Sequence, residues 1–429
     1  MSAKINKGVI QIYKVYDVAE EINLSKAEKM LANATEGPRL RLPADTRKAI
    51  IMKDAPLSIK LGQTTLSLPS GEYMVNAFAR MWNYGVMSIR FEMPMPKGID
   101  WDDLILLAAQ IESVQETDKL AASHRDALRK KLAPAIIKDR TFGISEDYIT
   151  YIIEDAEGID NPKQFIASQD VAGLILAETR EELSAFSKTK ILDSATQYAS
   201  KDLAIIDWNS ALLLEPEGER DVADVIEFSL TQLLEFRYYD DLIENNLQEL
   251  YDSMDNKPRG IKALFNNFYS EKAEDSSRKY IEFSEFMSRV ENSLKTIGDA
   301  YLAVIFRNAA KQFRFEDWKQ GISNKMSTLA EITQMLHGEV NVKRSHWLEI
   351  IVIVLIAIEL VPMIVNLYHF TKVSDENAAP AAIEQPVAEK TESTATIPSE
   401  ANPTAEPENN NATNPAEGES TEVQNTSAN

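Results

Sequence analysis

The sequence contains no cysteine, which excludes disulfide bonds and metal sites with thiolate ligands. Histidine is scarce as well: there are four in 429 residues, and His337, His346 and His369 flank one apolar segment near the C-terminus. No glycine-rich phosphate loop and no HExxH or GxSxG pattern occurs. We therefore predict no catalytic residue, no metal site and no cofactor, and expect that the protein is not an enzyme.

The chain also has fewer basic than acidic residues. The chain has 45 Lys and Arg against 67 Asp and Glu, a net charge of −22. Because a nucleic-acid-binding protein neutralises phosphates with Lys and Arg, we expect no direct binding of nucleic acid. The first residues lack the apolar core of a signal peptide, so we expect the N-terminal part to stay in the cytoplasm.

What the sequence does contain is one long apolar segment, Trp347–Phe370. A helix of this length extends over roughly 36 Å, more than the roughly 30 Å hydrocarbon core of a bilayer. Between residues 350 and 365 only Glu359 and Pro362 interrupt the apolar side chains. The alternative is a fully buried core helix, which seldom needs apolar residues on every face. The sequence therefore predicts one C-terminal transmembrane helix that sits in the lipid bilayer.

Charged and aromatic residues flank this segment. Lys343 and Arg344 precede it, whereas Lys372 stands nearly alone after it. The excess of positive charge on the N-terminal side predicts an inner-membrane protein with a cytoplasmic N-terminal domain and a tail across the membrane. We expect Trp347 and Glu349 to lie at the membrane surface, with Lys343 or Arg344 balancing the carboxylate.

Polar residues inside the segment predict helix association. Glu359 lies near the middle of the bilayer, where a carboxyl group is costly and usually faces protein or water. Asn366 follows seven residues later, about 20° away around the helix, and Pro362 lies between them. A single helix cannot enclose this face, so we expect a homo-oligomer or a partner helix. The alternative is that Glu359 is simply tolerated.

Upstream of the apolar segment, strand patterns give way to helical patterns. Residues 8–93 consist mainly of short stretches rich in β-branched residues, and Leu57–Leu68 resembles a hairpin that turns at Gly62. Trp101 begins a helical pattern with Asp100 as its predicted N-cap, and residues 147–155 and 203–214 predict further strands. This order is typical of an α+β fold, which we assign to residues 1–215.

Residues 216–346 have helical periodicity. Apolar residues recur every three or four positions over residues 221–255, 283–318 and 322–342, which predicts an antiparallel bundle or coiled-coil stalk. Four acidic residues around Glu215 precede the first helix, and we interpret them as favourable charges at a helix N-terminus rather than a cation site. Residues 371–429 are polar and acidic, which predicts a disordered tail.

The segment EFRYYDD in the first long helix offers a candidate partner face: Glu235, Arg237, Tyr238, Tyr239 and Asp240. Tyrosine and arginine are enriched at interface hot spots. The alternative interpretation is packing inside the bundle with surface ion pairs.

Three further stretches resemble the "required for meiotic nuclear division" (Rmd) family. They begin WNSALLLEPEGERDVADV, VENSLKTIGDAYLAV and KRSHWLEIIVIVLIAIEL, and the most specific pattern is Arg344-Ser345 followed by Trp347 and a span that holds Glu359. The EFRYYDD version is similar to a bacterial branch. The resemblance implies a C-terminal membrane anchor, no established catalysis, and a link to translation and larger assemblies through mitochondrial inner-membrane relatives.

From these observations we expect a membrane-anchored scaffold or adaptor that self-associates and holds an unidentified protein partner at the inner membrane. Two alternatives stay open. One is a membrane-tethered enzyme with an unrecognised carboxylate site, which a deep pocket with shifted carboxylates would favour. The other is an accessory subunit of a transporter, with Glu359 serving the transport path.

Overall fold

The computed structural model describes residues 3–31, 55–140, 142–255, 268–296 and 299–376. Its strands are β1 (Lys4–Asp17), β2 (Ala19–Ile22), β3 (Leu57–Leu68), β4 (Gly71–Met81), β5 (Val86–Pro94), β6 (Ile99–Asp100), β7 (Ile136–Asp139), β8 (Ser145–Ala156), β9 (Leu203–Ile206) and β10 (Ser210–Leu214). Its helices are α1 (Leu24–Met30), α2 (Trp101–Ser113), α3 (Glu116–Leu132), α4 (Pro162–Ser168), α5 (Val171–Leu176), α6 (Ala185–Leu192), α7 (Asp221–Asp255), α8 (Phe268–Thr296), α9 (Ala300–Gln312) and α10 (Phe315–Glu376).

Within the described residues, eight strands form one sheet in the order β3-β4-β5-β1-β8-β10-β9, and β6 pairs with the first residues of β1. Neighbouring strands are antiparallel except β8 and β10, which are parallel. The connection from β8 to β10 passes through helices α4 to α6, as a parallel crossover requires. β2 and β7 form a separate two-stranded sheet.

Both faces of the sheet are buried, because side chains of β1 alternate between two apolar cores. Ile10 and Ile12 belong to the core shared with helices α2 to α6. Tyr13 and Val15 belong to the core shared with α7, α9 and the first turns of α10. The sheet therefore lies between two helical layers, and α7 packs directly on it. All of this forms one compact unit, residues 1–354.

The predicted fold class is confirmed. A mixed domain built on a sheet comes first, long helices follow, and one apolar helix lies near the C-terminus. The predicted strands at 147–155 and 203–214 are present, although the second is divided by a turn at Asp207–Asn209 into the antiparallel pair β9 and β10. Asp100 holds the N-cap position of α2, but its side chain accepts no capping hydrogen bond.

The hairpin predicted within Leu57–Leu68 is wrong. These residues form a single strand, β3, and the chain turns only after Leu68, into β4. Lys60 pairs with Phe78 while Gly62 pairs with Ala77, so one residue of β3 is extra at this point. Gly62 has a φ of 114°, which suits a glycine at a β-bulge rather than a hairpin turn.

The single helix predicted over 283–318 is also wrong, because the chain breaks it twice. α8 ends at Thr296, and Asp299 then caps α9 by accepting hydrogen bonds from the backbone N–H groups of Tyr301 (2.7 Å) and Leu302 (3.1 Å). Arg314, with a φ of 57°, separates α9 from α10. By contrast, the helix predicted over 322–342 continues without a break into the apolar segment as part of α10.

The end of α10 lies beyond the predicted end of the membrane segment, because the helix extends to Glu376. The rest of the predicted disordered tail, residues 377–429, lies outside the described residues.

Candidate functional site

A cavity of about 630 Å³ opens where four elements meet: the start of β8, the middle of α7, the turn between β9 and β10, and the junction of α9 with α10. Charged side chains line it from several of these elements, with Glu146 on β8, Arg237 on α7 and Arg314 at the junction. Trp208 at the turn and Trp318 on α10 add two indole rings. The cavity thus combines buried charge with aromatic surface.

Glu146 and Arg237 form the innermost charged pair of this cavity. Glu146 is 5% exposed, and its Oε1 lies 2.9 Å from Arg237 Nε. Neither of these two buried atoms makes a hydrogen bond, so the N–H does not point at the oxygen. The two charges attract one another, while each atom keeps its hydrogen-bonding capacity.

Burial raises the pKa of the Glu146 carboxyl group. The positive charge of Arg237 opposes this shift and the nearby Asp147 adds to it, and the resulting pKa is about 7. The carboxyl group can therefore gain or lose a proton close to neutral pH. Carboxyl groups with raised pKa values in clefts are common at functional sites, although structural ion pairs produce them too.

The remaining charges at the cavity are arranged in pairs. Arg314 Nε lies 2.6 Å from Asp317, and Lys325 Nζ approaches Asp240 at 2.8 Å from outside the lining. Asp147 is approached by Lys14 at 2.9 Å. Four of the lining residues are acidic and two are arginines, a net charge of −2 (2 − 4) when Glu146 is ionised, which Lys14 and Lys325 outside the lining offset.

A second cluster of charge lies beneath α7, inside the sheet interface. Arg80 on β4 donates to Glu227 (2.6 Å) and Asp224 (2.9 Å) of α7, and Arg90 on β5 lies 3.4 Å from the same Glu227. The Glu227 side chain is fully buried. Burial alone would lower the pKa of Arg80, but the attraction of Asp224 and Glu227 outweighs it and raises the pKa. These charges fix α7 to the sheet.

Sequence reasoning missed this network. The signal was present in the alternation of β4 and β5: Arg80 and Arg90 lie at strand positions whose neighbours are apolar. A charged residue at an inward position of a covered sheet predicts a buried counter-charge. The same reasoning would have pointed to Asp224 and Glu227, which fall on the apolar side of α7.

The structure places the residues of the predicted partner face in different environments. Glu235 and Tyr239 are 2% and 6% exposed, so both side chains are buried within the protein. Tyr238 is half-buried, with its ring 4.0 Å from the Arg140 guanidinium. Arg237 and Asp240 instead line the cavity.

The intramembrane candidates lie on α10. Its residues Leu348–Val365 have a mean hydropathy of 2.8, and none of this stretch is buried within the protein. Glu359 and Pro362 are exposed on this helix, which continues through the proline, and Glu349 precedes them. The side chains of Lys343, Arg344, Trp347 and Asn366 lie outside the described part of the chain, although the helix passes through these positions.

Two further features lie outside this cavity. An open groove of about 950 Å³ separates α8 from α10, lined by serines and by apolar residues such as Ile281 and Leu329. In the part of the chain that the structure describes, no three His, Asp or Glu side chains are arranged to hold a metal ion. The acidic residues around Glu215 form instead a crowded group, in which burial and the charges of Asp202 and Glu219 raise the pKa of Glu215 to about 8.

Comparison with known proteins finds a family match for the part of the chain that forms the sheet. Residues 7–221 match the family described as "Uncharacterized protein MJ0711, N-terminal domain". A protein of Methanocaldococcus jannaschii, "Uncharacterized protein MJ0711", is 23% identical over 221 residues. That match covers 50% of this chain and 65% of the relative, so the chain spans less than two thirds of the relative's length. No solved structure matches.

The matched region has a clear structural boundary. It begins within β1 and ends at the first residue of α7, so it contains the sheet and the helices α1 to α6. The cavity straddles this boundary: Glu146 and Trp208 lie inside the match, whereas Arg237 and Trp318 lie beyond it. These comparisons do not confirm the resemblance to the Rmd family or to its bacterial branch.

Proposed function

The chain belongs to the family of the MJ0711 N-terminal domain, and we propose that its helical half makes it a membrane-anchored scaffold or adaptor. In this proposal the protein self-associates and holds a cytoplasmic complex at the inner membrane. The sheet domain supplies the cytoplasmic body, and α10 supplies the anchor.

This proposal rests mainly on one observation: α10 continues without a break from the core of the protein into the apolar segment. Its first part contributes Ile322, Met326 and Leu329 to the core beneath α7. Farther along, the same helix exposes the apolar stretch Leu348–Val365, which is long enough to cross a bilayer. Because so large an apolar surface is unfavourable in water, a lipid environment is the expected setting for it.

Self-association is supported by Glu359, since a carboxyl group within an apolar span is most readily accommodated against another helix. We expect Glu359→Leu to convert the crosslinked oligomer of the full-length protein, measured in its native membrane, to monomer. Glu359→Gln retains hydrogen-bonding groups and should keep the oligomer largely intact. The matched control, Val361→Leu, should leave it unchanged. An undiminished oligomer in Glu359→Leu would remove the basis for this part of the proposal.

The cytoplasmic partner in this proposal is a protein that crosslinking can identify. A link to translation rests on the Rmd resemblance alone. Crosslinking of the intact protein in cells, followed by mass spectrometry, distinguishes the possibilities. Ribosomal proteins support the translation link, while reproducible capture of a multispan protein supports the accessory subunit of a transporter.

One observation favours the enzyme alternative. Glu146 is a buried carboxyl group with a pKa of about 7 in a cavity that also holds Arg237 and two tryptophans. Such a group can exchange a proton at neutral pH, as a general acid or base must. Incubation of the protein with metabolite mixtures tests this alternative, and a turnover that Glu146→Gln abolishes supports it.

A further inference from the structure

The cavity at Glu146 has features of a binding site that membrane anchoring does not explain. Its lining contains the buried carboxyl group of Glu146, and three aromatic rings, those of Trp208, Phe313 and Trp318, contribute to the same surface. A carboxylate with an open acceptor position and aromatic faces both attract cations. We propose that this cavity binds an organic cation, an alkylammonium or alkylguanidinium group.

Glu146 is the residue expected to receive the charged group. It is 5% exposed, and its Oε1 accepts no hydrogen bond despite lying 2.9 Å from Arg237 Nε. An ionised carboxylate has about four acceptor positions, so it can accept an N–H from a ligand while staying close to Arg237. A buried polar atom without a hydrogen bond is costly, and a ligand donor would remove that cost.

The aromatic residues supply the second part of the site. Trp208 is 63% exposed at the turn between β9 and β10, a large apolar surface to leave in water. Trp318 already faces a cation, since the Arg237 guanidinium lies 6.0 Å from its ring centre. Indole rings are the strongest partners for cations among aromatic side chains, and they also bind the alkyl part of such a ligand.

Gly321 provides room in the cavity wall. It lies in the second turn of α10, and a Cβ atom at this position would meet no atom within 4 Å apart from its chain neighbours and the backbone of its own helix. Any larger side chain there would therefore extend into open space without displacing its immediate neighbours. Gly321→Phe should fill part of the cavity, whereas Gly321→Ala adds one methyl group and should favour the helix slightly.

The experiment is isothermal titration of the detergent-solubilised full-length protein with butylguanidinium, and with butylurea as a neutral analogue of nearly the same shape. We expect saturable binding of butylguanidinium and none of butylurea. Glu146→Gln should weaken the binding roughly ten-fold or more, because a hydrogen bond between charged groups becomes one to a neutral amide. Gly321→Phe should abolish it, and Gly321→Ala should preserve it.

Three results would overturn the inference. Equal binding of butylurea would show that charge is not recognised, and unchanged binding in Gly321→Phe would place the cation elsewhere. The absence of saturable binding by the wild-type protein would contradict it outright. None of these results bears on membrane anchoring, so the inference and the scaffold proposal fail independently.

Discussion

Glu215 follows the last residue of β10 and is 9% exposed, in a group of acidic residues that includes Asp202 and Asp221. Burial and the neighbouring carboxylates raise its pKa from 4.5 to about 8. The folded protein therefore keeps a proton that the unfolded chain releases at lower pH. It follows that the free energy of unfolding decreases as pH rises from about 4.5 to about 8.

We expect Glu215→Gln to relieve this cost. The variant and the wild type should have the same stability near pH 4, and above pH 8 the variant should be more stable by roughly 2 kcal/mol, since each pKa unit counts for at most about 1.4 kcal/mol. Chemical denaturation in detergent at a series of pH values measures this difference. Glu217→Gln, at an exposed position nearby, is the control and should show no such trend. A stability difference that is constant with pH would contradict the assignment.

The network of Arg80, Arg90, Asp224 and Glu227 gives a second prediction at this scale. Arg80→Ala leaves the fully buried Glu227 with only the more distant Arg90, and breaking a buried pair in this way costs about 3–5 kcal/mol. The exposed pair of Lys201 and Asp160 is the control, and Lys201→Ala should leave the denaturant midpoint almost unchanged, because exposed ion pairs contribute little to stability. Denaturant midpoints of the two variants make the comparison, and equal losses would show that the network does not anchor α7.

Residues of the candidate cavity could not be assembled from the sequence alone. Glu146, Trp208 and Trp318 come from a strand, a turn and a helix, and only the packing of α7 and α10 on the sheet brings them together. The sequence grouped Arg237 and Asp240 with Glu235 and Tyr239 as one candidate partner face, because helix periodicity could not show that the last two are buried. Local patterns give the composition of an element, whereas a site depends on which elements become neighbours.

At the scale of elements, the sequence patterns predicted well whether a segment is a helix or a strand, and predicted poorly where it begins and ends. The stretches rich in β-branched and apolar residues at β8 and β9 and the apolar segment of α10 are strong signals, because burial of an element leaves a regular pattern of apolar residues in its sequence. The errors lie where one residue changes the backbone. Gly62 makes a bulge instead of a turn, and Asp299 and Arg314 interrupt an apolar stripe that continues across the breaks.

Asp299 offers a test of that interpretation. Its carboxylate caps α9 by accepting two backbone N–H groups, and loss of such a cap costs about 1 kcal/mol. We expect Asp299→Ala to lower the free energy of unfolding by that amount and Asp299→Ser, which can still cap the helix, to recover most of it. If serine and alanine destabilise equally, the cap is not what starts α9.

At the scale of the whole molecule, the family domain and the long helices that follow it share one apolar core. α7 begins where the family match ends and covers one face of the sheet, and α10 contributes to the same core before it becomes apolar. The cavity lies at this junction, on both sides of the family boundary.

The most direct test of the account is the topology of the protein in membranes. Because the chain has no cysteine, single cysteines introduced by Ser200→Cys in the sheet domain and Thr404→Cys beyond the apolar helix are the sole targets of a membrane-impermeant maleimide. In right-side-out vesicles, we predict labelling of Thr404→Cys at once and of Ser200→Cys only after the membrane is permeabilised. Labelling of both variants without permeabilisation, or recovery of the protein in the soluble fraction, would contradict the claim that α10 anchors a cytoplasmic domain across the inner membrane.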